Sequence, residues 1–229
     1  MSESSFLAIS PEVWTLIGRA LADTLYKVAL AGGLGTLLGL PLGVLLATSA
    51  RGELFAAPRF NRVAGLLVNA TRSVPFIILV VAIIPLTRAL AGTSIGTTAA
   101  IVPLTLAATP FIARIVEGAV REVDQGLVEA ARAMGATPLQ IVRKVLLPEA
   151  LPGIVLGLTL ALVSLIGYSA MVGAVGGGGL GDLGIRYGYQ RFMPEVMAVV
   201  VAVLIVLVQG TQSLGDRLAR RVNRRLRRD

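Results

Sequence analysis

The sequence predicts an all-α integral membrane protein with five transmembrane helices in one membrane domain. Of its 229 residues, 55% are hydrophobic and only 15% are charged, whereas a soluble domain carries roughly 25% charged residues to solvate its surface. The 26 glycines and the aromatic content of 5% are typical of helices that pack in lipid through small residues. The composition therefore excludes an ordinary water-soluble globule.

Five apolar stretches define the predicted spans, because about 20 apolar residues are needed to cross the hydrocarbon core of a bilayer. These spans lie near residues 22–48, 63–86, 96–119, 151–174 and 194–213. Arg72 interrupts the second stretch. We expect Arg72 to face the interior of the helix bundle or the cytoplasmic headgroups, since a charge that faces lipid at depth is expensive.

Lysine and arginine set the predicted orientation, because cytoplasmic loops hold an excess of both. The loop 51–62 with the adjoining Arg72, the loop 121–150 and the segment after Gly215 hold fifteen of them, and the opposite side holds four. The N-terminus is therefore expected outside and the C-terminus inside, which requires an odd number of spans. The predicted organisation is an outer-side segment over 1–21, a transmembrane domain over 22–213 and a basic cytoplasmic tail over 214–229.

The chain contains no cysteine and no histidine, which removes the commonest general base and the commonest transition-metal ligands. We therefore predict no catalytic residue and no metal site, and a Ser–His hydrolase or a zinc protease is excluded. The two lysines, Lys27 and Lys144, stand outside any G-x-x-x-x-G-K-[ST] motif that would cradle nucleotide phosphates. If the protein uses ATP, another chain binds it.

Two glycine patterns stand out. Within the first span, Gly35, Gly39 and Gly43 form a small-residue stripe that lets another helix approach closely, in this chain or in a second copy; Ala31 and Ala47 extend the stripe. The second pattern, Gly179-x-Gly181-x-x-Gly184, matches a dinucleotide fingerprint that works only between a strand and a helix. Because it follows a membrane span, we expect a flexible or re-entrant outer segment there.

The basic tail accounts for most of the net charge of +8. Nucleic-acid binding is one interpretation of such a tail, but no aromatic residues accompany the arginines. The favoured interpretation is a cytoplasmic segment that meets anionic lipid headgroups, with no nucleic-acid partner.

The long cytoplasmic loop is predicted to form two short helices. Gly135 is placed to end the first helix in a left-handed conformation. Thr137 then opens the second helix as its N-cap, with Pro138 in the first turn and Gln140 completing a capping box. Pro148 and Pro152 are expected to stop this helix before the fourth span. The apolar side of the first helix consists of Leu127, Ala130, Ala131 and Met134. Such a loop is either an amphipathic element resting on the membrane or a docking element for a soluble partner.

Within this loop, Glu129-Ala130-Ala131, then Gly135, then Val145-x-Leu147-Pro148 resemble the EAA signature, E-A-A-x3-G-x9-I-x-L-P, of ABC importer permeases. The one departure is Val145 in place of the usual isoleucine. The segments 72–79, 133–152 and 167–181 are similar to methionine-importer permeases, and the resemblance covers roughly residues 22–215.

The resemblance implies a type I ABC importer permease of the bacterial inner membrane, which forms one translocation pathway as a homodimer. It also implies two separate ATPase subunits that bind ATP and Mg, an outer-face substrate-binding lipoprotein, and no enzymatic activity or cofactor in this chain. The substrate would be methionine. Alternatives are a permease for another small amino acid or organic solute, or a non-transporting membrane scaffold or channel.

The resemblance also assigns roles within the coupling loop 121–150. Ala130 and Ala131 would let the coupling helix sit deep in a partner groove, and Gly135 would make the turn. Glu129 would pair with a basic group on the partner or cap its own helix. Leu147 and Pro148, after Val145, would set the return to the membrane. For each residue, local helix–turn–helix architecture is the alternative.

Three residues of the fourth span are candidates for the substrate pathway. Tyr168, Ser169 and Met171 are polar or polarisable groups in an otherwise apolar stretch. An intramembrane hydroxyl can equally bond to its own helix backbone, so both interpretations stand for this group.

Overall fold

The structure is a computed structural model that describes residues 11–226, with side chains up to Asn223. The described chain is helical and contains ten α-helices and two π-helical segments. The α-helices are α1 Pro11–Thr48, α2 Pro58–Ser73, α3 Phe76–Ala82, α4 Ile84–Ala91, α5 Thr97–Arg121, α6 Gln125–Ala133, α7 Pro138–Ile141, α8 Leu147–Ala174, α9 Gly179–Leu183 and α10 Pro194–Leu226. The π-helical segments are Val142–Leu146 and Gly184–Tyr189.

The predicted all-α membrane architecture is confirmed. Four helical stretches of the described chain are long and apolar enough to cross a membrane, and the number rises to five if the bent pair α2 and α3 forms one span. The four stretches are Pro11–Thr48, Thr97–Arg121, Pro138–Ala174 and Pro194–Asn223.

The second predicted span, 63–86, is not one continuous helix. α2 ends at Ser73, the chain bends by 103°, and α3 begins at Phe76. The cause is Pro75, which disfavours the helical conformation in the residue before it. Val74 accordingly adopts an extended backbone with φ −83° and ψ 127°.

Two of the predicted boundaries also differ from the structure. α1 begins at Pro11 rather than near residue 22, because Val13, Ile17 and Ala20 present one buried face at helical spacing. α10 continues beyond residue 213 to Leu226, so part of the segment predicted as a separate tail extends the last helix. Residues 1–10 and 227–229 lie outside the described residues.

The chain divides into two compact units. Among the described residues, the first unit comprises 11–33, together with Pro75–Leu106 and Leu162–Thr211. Its apolar cluster joins the N-terminal face of α1 to α9 and α10 and is built from Val13, Ile17, Ala20, Leu180, Leu183, Val196 and Val200. Packing of this face stabilises the first turns of α1, which lie before the apolar stretch that hydropathy identifies as a span.

Among the described residues, the second unit comprises Leu34–Val74, Ala107–Ala161 and 212–226. In this unit the glycine stripe of α1 packs against α5 of the same chain. A Cβ added to Gly35 would lie 2.6 Å from the Cβ of Ala108, and one added to Gly39 would lie 2.7 Å from the carbonyl oxygen of Thr109. The close helix contact predicted from the stripe is therefore internal to the chain.

Candidate functional site

The first cytoplasmic helix, α6, has a defined start and end. The Asp124 carboxylate accepts a 2.7 Å hydrogen bond from the Gly126 amide and caps the N-terminus. At the other end, Gly135 has φ +80°, and its amide donates to the carbonyl of Arg132 at 2.9 Å. The amide of Ala136 donates to the carbonyl of Ala131 at 3.0 Å. This pair of bonds is a Schellman motif, and the left-handed conformation predicted for Gly135 is confirmed.

The predicted capping box at the start of α7 is also present. The amide of Thr137 donates to Oε1 of Gln140 at 2.8 Å, and the amide of Gln140 donates to Oγ1 of Thr137 at 3.4 Å. Pro138 occupies the first helical position, where its missing N–H leaves no bond unmade. The turn between α6 and α7 is thus set by local hydrogen bonds of its own residues.

The predicted stop at Pro148 and Pro152 is wrong. After α7 the chain forms the π-helical segment Val142–Leu146 and continues directly into α8. The amide of Leu147 donates to the carbonyl of Val142, five residues earlier. This widened turn relieves the steric conflict that Pro148 would create with the preceding turn of a regular α-helix. The chain is therefore continuously helical from Pro138 to Ala174.

The apolar side of α6 divides into a buried and an exposed part. Val128 and Ala131 are buried, so the four residues predicted to form one apolar face do not share one environment. Leu127, Ala130 and Met134 are exposed at helical spacing, and Met134 is 82% exposed. We call Leu127, Ala130 and Met134 the coupling stripe. An exposed apolar stripe of this kind can enter a groove on a partner protein.

The remaining residues of the EAA-like motif lie on α6, in the π-helical segment and at the start of α8. Glu129 is exposed, and because Asp124 caps α6, the alternative in which Glu129 caps its own helix is not seen. Val145 lies in the π-helical segment, and Leu147 and Pro148 lie in the first turn of α8. All three are half-buried.

The three candidates for the substrate pathway do not share one surface. Tyr168 stacks on Phe76, with ring centroids 4.5 Å apart and an interplanar angle of 16°. Ser169 is 1% exposed, whereas Met171 is 48% exposed. Only Met171 of the three presents an open side chain in the described chain.

Sequence reasoning missed a buried cation in the first unit. Lys27 of α1 is fully buried, and its Nζ donates to the carbonyls of Gly178 at 2.6 Å, Gly177 at 3.1 Å and Ser169 at 3.2 Å. The available signal was a lysine inside the first apolar span, since ionisable residues at that depth are rare and functional.

A second missed group lies on α5 in the second unit. Glu117 is 5% exposed and accepts from two arginines, Arg114 at 2.5 Å and Arg121 at 2.8 Å. Arg114 also donates to the carbonyl of Gly65 at 3.0 Å, which joins α5 to α2. Three charged residues at i, i+3 and i+7 on one helix were the sequence signal.

Two further expectations concern Arg72 and the Gly179 motif. The guanidinium of Arg72 lies 5.9 Å from the ring centroid of Phe111 on α5, so it does contact the helix bundle. The segment from Gly179 to Gly184 was expected to be flexible or re-entrant. It forms α9 and the start of a π-helical segment, with Leu180 and Leu183 buried, which contradicts the flexible alternative and leaves the re-entrant one as a prediction.

Comparison with known proteins supports one family. The model of the family "Binding-protein-dependent transport system inner membrane component" matches residues 39–228. A protein of Vibrio cholerae described as "Probable D-methionine transport system permease protein MetI" is 59% identical over 92% of this chain and 93% of its own length. The D-methionine transport system permease protein MetI of Escherichia coli strain K12 is 55% identical over 71% of this chain and 75% of its own.

Solved structures agree with this result. A chain from the inward-facing MetNI methionine ABC transporter superposes with a TM-score of 0.92, at 52% identity, over 93% of this chain and 99% of that chain. A chain from an amino acid ABC transporter with histidines shares the fold, with a TM-score of 0.76 at 23% identity over 92% of this chain and 95% of that chain. This chain therefore belongs to the family of binding-protein-dependent transport system inner membrane components and has the fold of a type I ABC importer permease.

Proposed function

We propose that this chain is the membrane-spanning permease subunit of an ATP-driven methionine importer. The observation that carries the proposal is the coupling stripe, presented by a helix whose two ends are capped within the loop. A capped helix keeps its direction, so movement of a partner bound to it is passed on to the membrane helices. The relatives named as D-methionine permeases support methionine as the substrate. The similarity to a chain of an inward-facing methionine transporter supports the inward-facing state for this structure.

In this proposal the permease acts as a homodimer with two ATPase subunits, and ATP and Mg are bound by those ATPases. Leu127, Ala130 and Met134 enter a groove on each ATPase, and the exposed Glu129 pairs with a basic group at its edge. Approach of the two ATPases on ATP binding draws the coupling helices together and opens the outer side of the pathway. An outer-face binding lipoprotein delivers methionine, and this chain performs no covalent chemistry.

We further propose that the N-terminus lies outside the inner membrane and the C-terminus inside. The distribution of lysine and arginine supports this orientation. The end of α10 carries Arg217, Arg220 and Arg221, all exposed, and would meet anionic headgroups of the cytoplasmic leaflet.

Competition for uptake tests the substrate. Labelled methionine is offered to proteoliposomes that contain the assembled complex and its binding protein, with unlabelled D-methionine, L-methionine or a polar amino acid as competitor. Methionine of at least one hand is expected to abolish uptake of the label, and a polar amino acid is expected to leave it unchanged. Equal competition by a polar amino acid would favour the alternative of a permease for another small solute. ATP-dependent uptake of any solute would reject the alternative of a non-transporting scaffold.

A further inference from the structure

The buried lysine of α1 is bonded entirely by backbone oxygens. An ammonium group has three N–H donors, and those of Lys27 point to the carbonyls of Ser169, Gly177 and Gly178. Ser169 belongs to α8, and the two glycines belong to the segment Gly176–Gly179, which we call the glycine loop. Lys27 therefore ties α1 to the end of α8 and to the turn that leads into α9.

The glycine loop is shaped to receive this lysine. Gly178 has φ +65° and Gly179 has φ +80°, in the left-handed region where residues with a Cβ are strained. A Cβ on Gly179 would also lie 2.9 Å from Nζ of Lys27. Both the backbone conformation and the space beside the ammonium thus require glycine at residue 179.

Two neighbouring hydrogen bonds fasten the same loop. The amide of Leu180 donates to Oγ1 of Thr24, one turn before Lys27 on α1, at 2.9 Å. The amide of Gly96, just before α5, donates to the carbonyl of Gly176 at 2.9 Å. The middle of α1, the residue before α5, the end of α8 and the start of α9 therefore meet at the glycine loop, all within the first unit.

The positive charge of Lys27 has no ion-pair partner within 4.0 Å among the described side chains. Asp182 of α9 pairs with Arg186 instead, and Asp23 lies one turn before Lys27 on α1 without an ion pair to it. Both carboxylates act on the ammonium only at longer range, so its direct partners are the three carbonyls. A buried charge of this kind is tolerated while those hydrogen bonds are kept. If water reaches the ammonium, water oxygens can replace the carbonyls as acceptors, so opening of the glycine loop would not leave the charge without hydrogen bonds.

We propose that Lys27 is a positioning residue that latches the glycine loop in the closed arrangement of the outer side. The latch is made in the inward-facing state and is released to water when the outer side opens. The hydrogen bonds of Lys27 thereby lower the fraction of molecules whose outer side is open in the absence of ATP. This inference rests on the proposed transport function and orientation, and it adds a named residue and loop to the transport cycle.

A buried reporter in the latch provides the test. The chain has no cysteine, so Ser169→Cys introduces a single thiol at a side chain that is 1% exposed and keeps the carbonyl that binds Lys27. The assembled complex is placed in proteoliposomes, and labelling of this thiol by a membrane-impermeant maleimide added outside is timed. Trapping the ATPases with ATP and vanadate is expected to speed labelling of the parent.

Lys27→Met keeps an unbranched side chain of similar length and removes the charge. In the Ser169→Cys background without ATP, it is expected to raise the labelling rate at least about tenfold, because it removes all three charged hydrogen bonds of Lys27 and the loss of a single one already corresponds to about that factor. Thr24→Val preserves the side-chain shape and removes the hydroxyl that receives the Leu180 amide, so a smaller increase is expected. Arg19→Met is the matched control, because Arg19 is an exposed cation on the same helix, and its labelling rate should equal that of the parent.

An unchanged rate in both Lys27→Met and Thr24→Val would overturn the latch. If Lys27→Met does not assemble, Thr24→Val decides by itself. Labelling of the parent that does not respond to ATP and vanadate would also reject the latch, because the loop would then not open. A complex that labels as expected but imports no methionine would keep the latch and reject the substrate, so the two failures are distinguishable.

Discussion

Gly39 of α1 and Thr109 of α5 approach so closely that a Cβ on the glycine would lie 2.7 Å from the carbonyl oxygen of Thr109. The same atom would lie 3.0 Å from the Cβ of Ile112. Backbone atoms cannot move aside as a flexible side chain can, so this contact admits only glycine without separating the helices. The small-residue stripe is therefore used within the subunit.

Gly39→Ala should destabilise the subunit. Overpacking of this kind costs about 1–3 kcal/mol, which corresponds to a fall of roughly 2–12 °C in the thermal midpoint of a chain of this size. The midpoint is measured in detergent by loss of helical circular dichroism. Gly33→Ala is the matched control, because Gly33 lies on the same helix and has nothing within 4 Å of an added Cβ. A midpoint for Gly39→Ala equal to that of Gly33→Ala would show that the helices can adjust.

The capped helix pair could be predicted from the sequence because its signals are local. Thr137 and Gln140 exchange two hydrogen bonds within a single turn, and Pro138 occupies the first helical position between them. Gly135 ends the helix directly before it through its own left-handed backbone. The contacts of Lys27 could not be predicted, since its carbonyl partners on Ser169 and Gly178 lie 142 and 151 residues away in the chain. Backbone carbonyls also leave no residue-type signal, so nothing in the sequence marks them as ligands of a lysine.

The predictions of a continuous span across Pro75 and of a helix end at Pro148 were wrong for one physical reason. A proline removes one helical hydrogen bond, and the result depends on whether the surrounding chain can compensate. At Pro75 the chain turns by 103°, whereas at Pro148 a π-helical segment absorbs the conflict and the helix continues. The sequence shows both prolines but not which of the two outcomes follows.

Glu117→Gln should weaken the junction between α2 and α5. Glu117 is 5% exposed and accepts from Arg114 and Arg121. Its neutral form would leave the guanidinium of Arg114 without a counter-charge. Because Arg114 and Arg121 are partly exposed, we expect the lower end of the range for a broken buried pair, about 3 kcal/mol. Thermal midpoints measured in detergent check this loss.

The control for this variant is Glu122→Gln. Glu122 is exposed and follows Arg121 at the end of α5, so removal of its charge should leave the midpoint near that of the parent. If both variants melt at the same temperature as the parent, the Arg114–Glu117–Arg121 group contributes little to stability and Arg114 is held by the Gly65 carbonyl alone.

Reporter fusions should place the loops on opposite sides of the membrane. A reporter after Asp229 is expected to be active in the cytoplasm, and one inserted near Gly92, in the exposed turn between α4 and α5, is expected outside. An insertion near Gly52, in the exposed turn after α1, serves as a second cytoplasmic position. The excess of arginine on the Gly52 side is the physical reason. Cytoplasmic activity at both Gly92 and Asp229 would contradict an orientation with five crossings.

Gly135→Val should uncouple the permease from its ATPase. Gly135 has φ +80°, and a residue with a Cβ meets a steric cost of roughly 1–2 kcal/mol in the left-handed region. The chain can avoid that cost by opening the Schellman motif, which would turn the coupling stripe away from its present direction. Membrane insertion should be unaffected, because no apolar residue of a span changes. The expected result is loss of ATPase co-purification, or ATP hydrolysis that no longer drives uptake.

Gly135→Asn separates backbone conformation from side-chain volume. Nothing lies within 4 Å of a Cβ built on Gly135, so neither substitution meets a neighbour, and only the backbone preference differs between them. Asparagine adopts the left-handed conformation far more readily than valine does. Gly135→Asn is therefore expected to retain most of the co-purified ATPase and of the uptake that Gly135→Val loses. Equal loss in both variants would mean that the ATPase contacts the Cα of Gly135 directly, so that any side chain at this residue prevents binding. Normal co-purification and uptake in Gly135→Val would remove the coupling role of this turn, because the direction of α6 would then not matter to the ATPase.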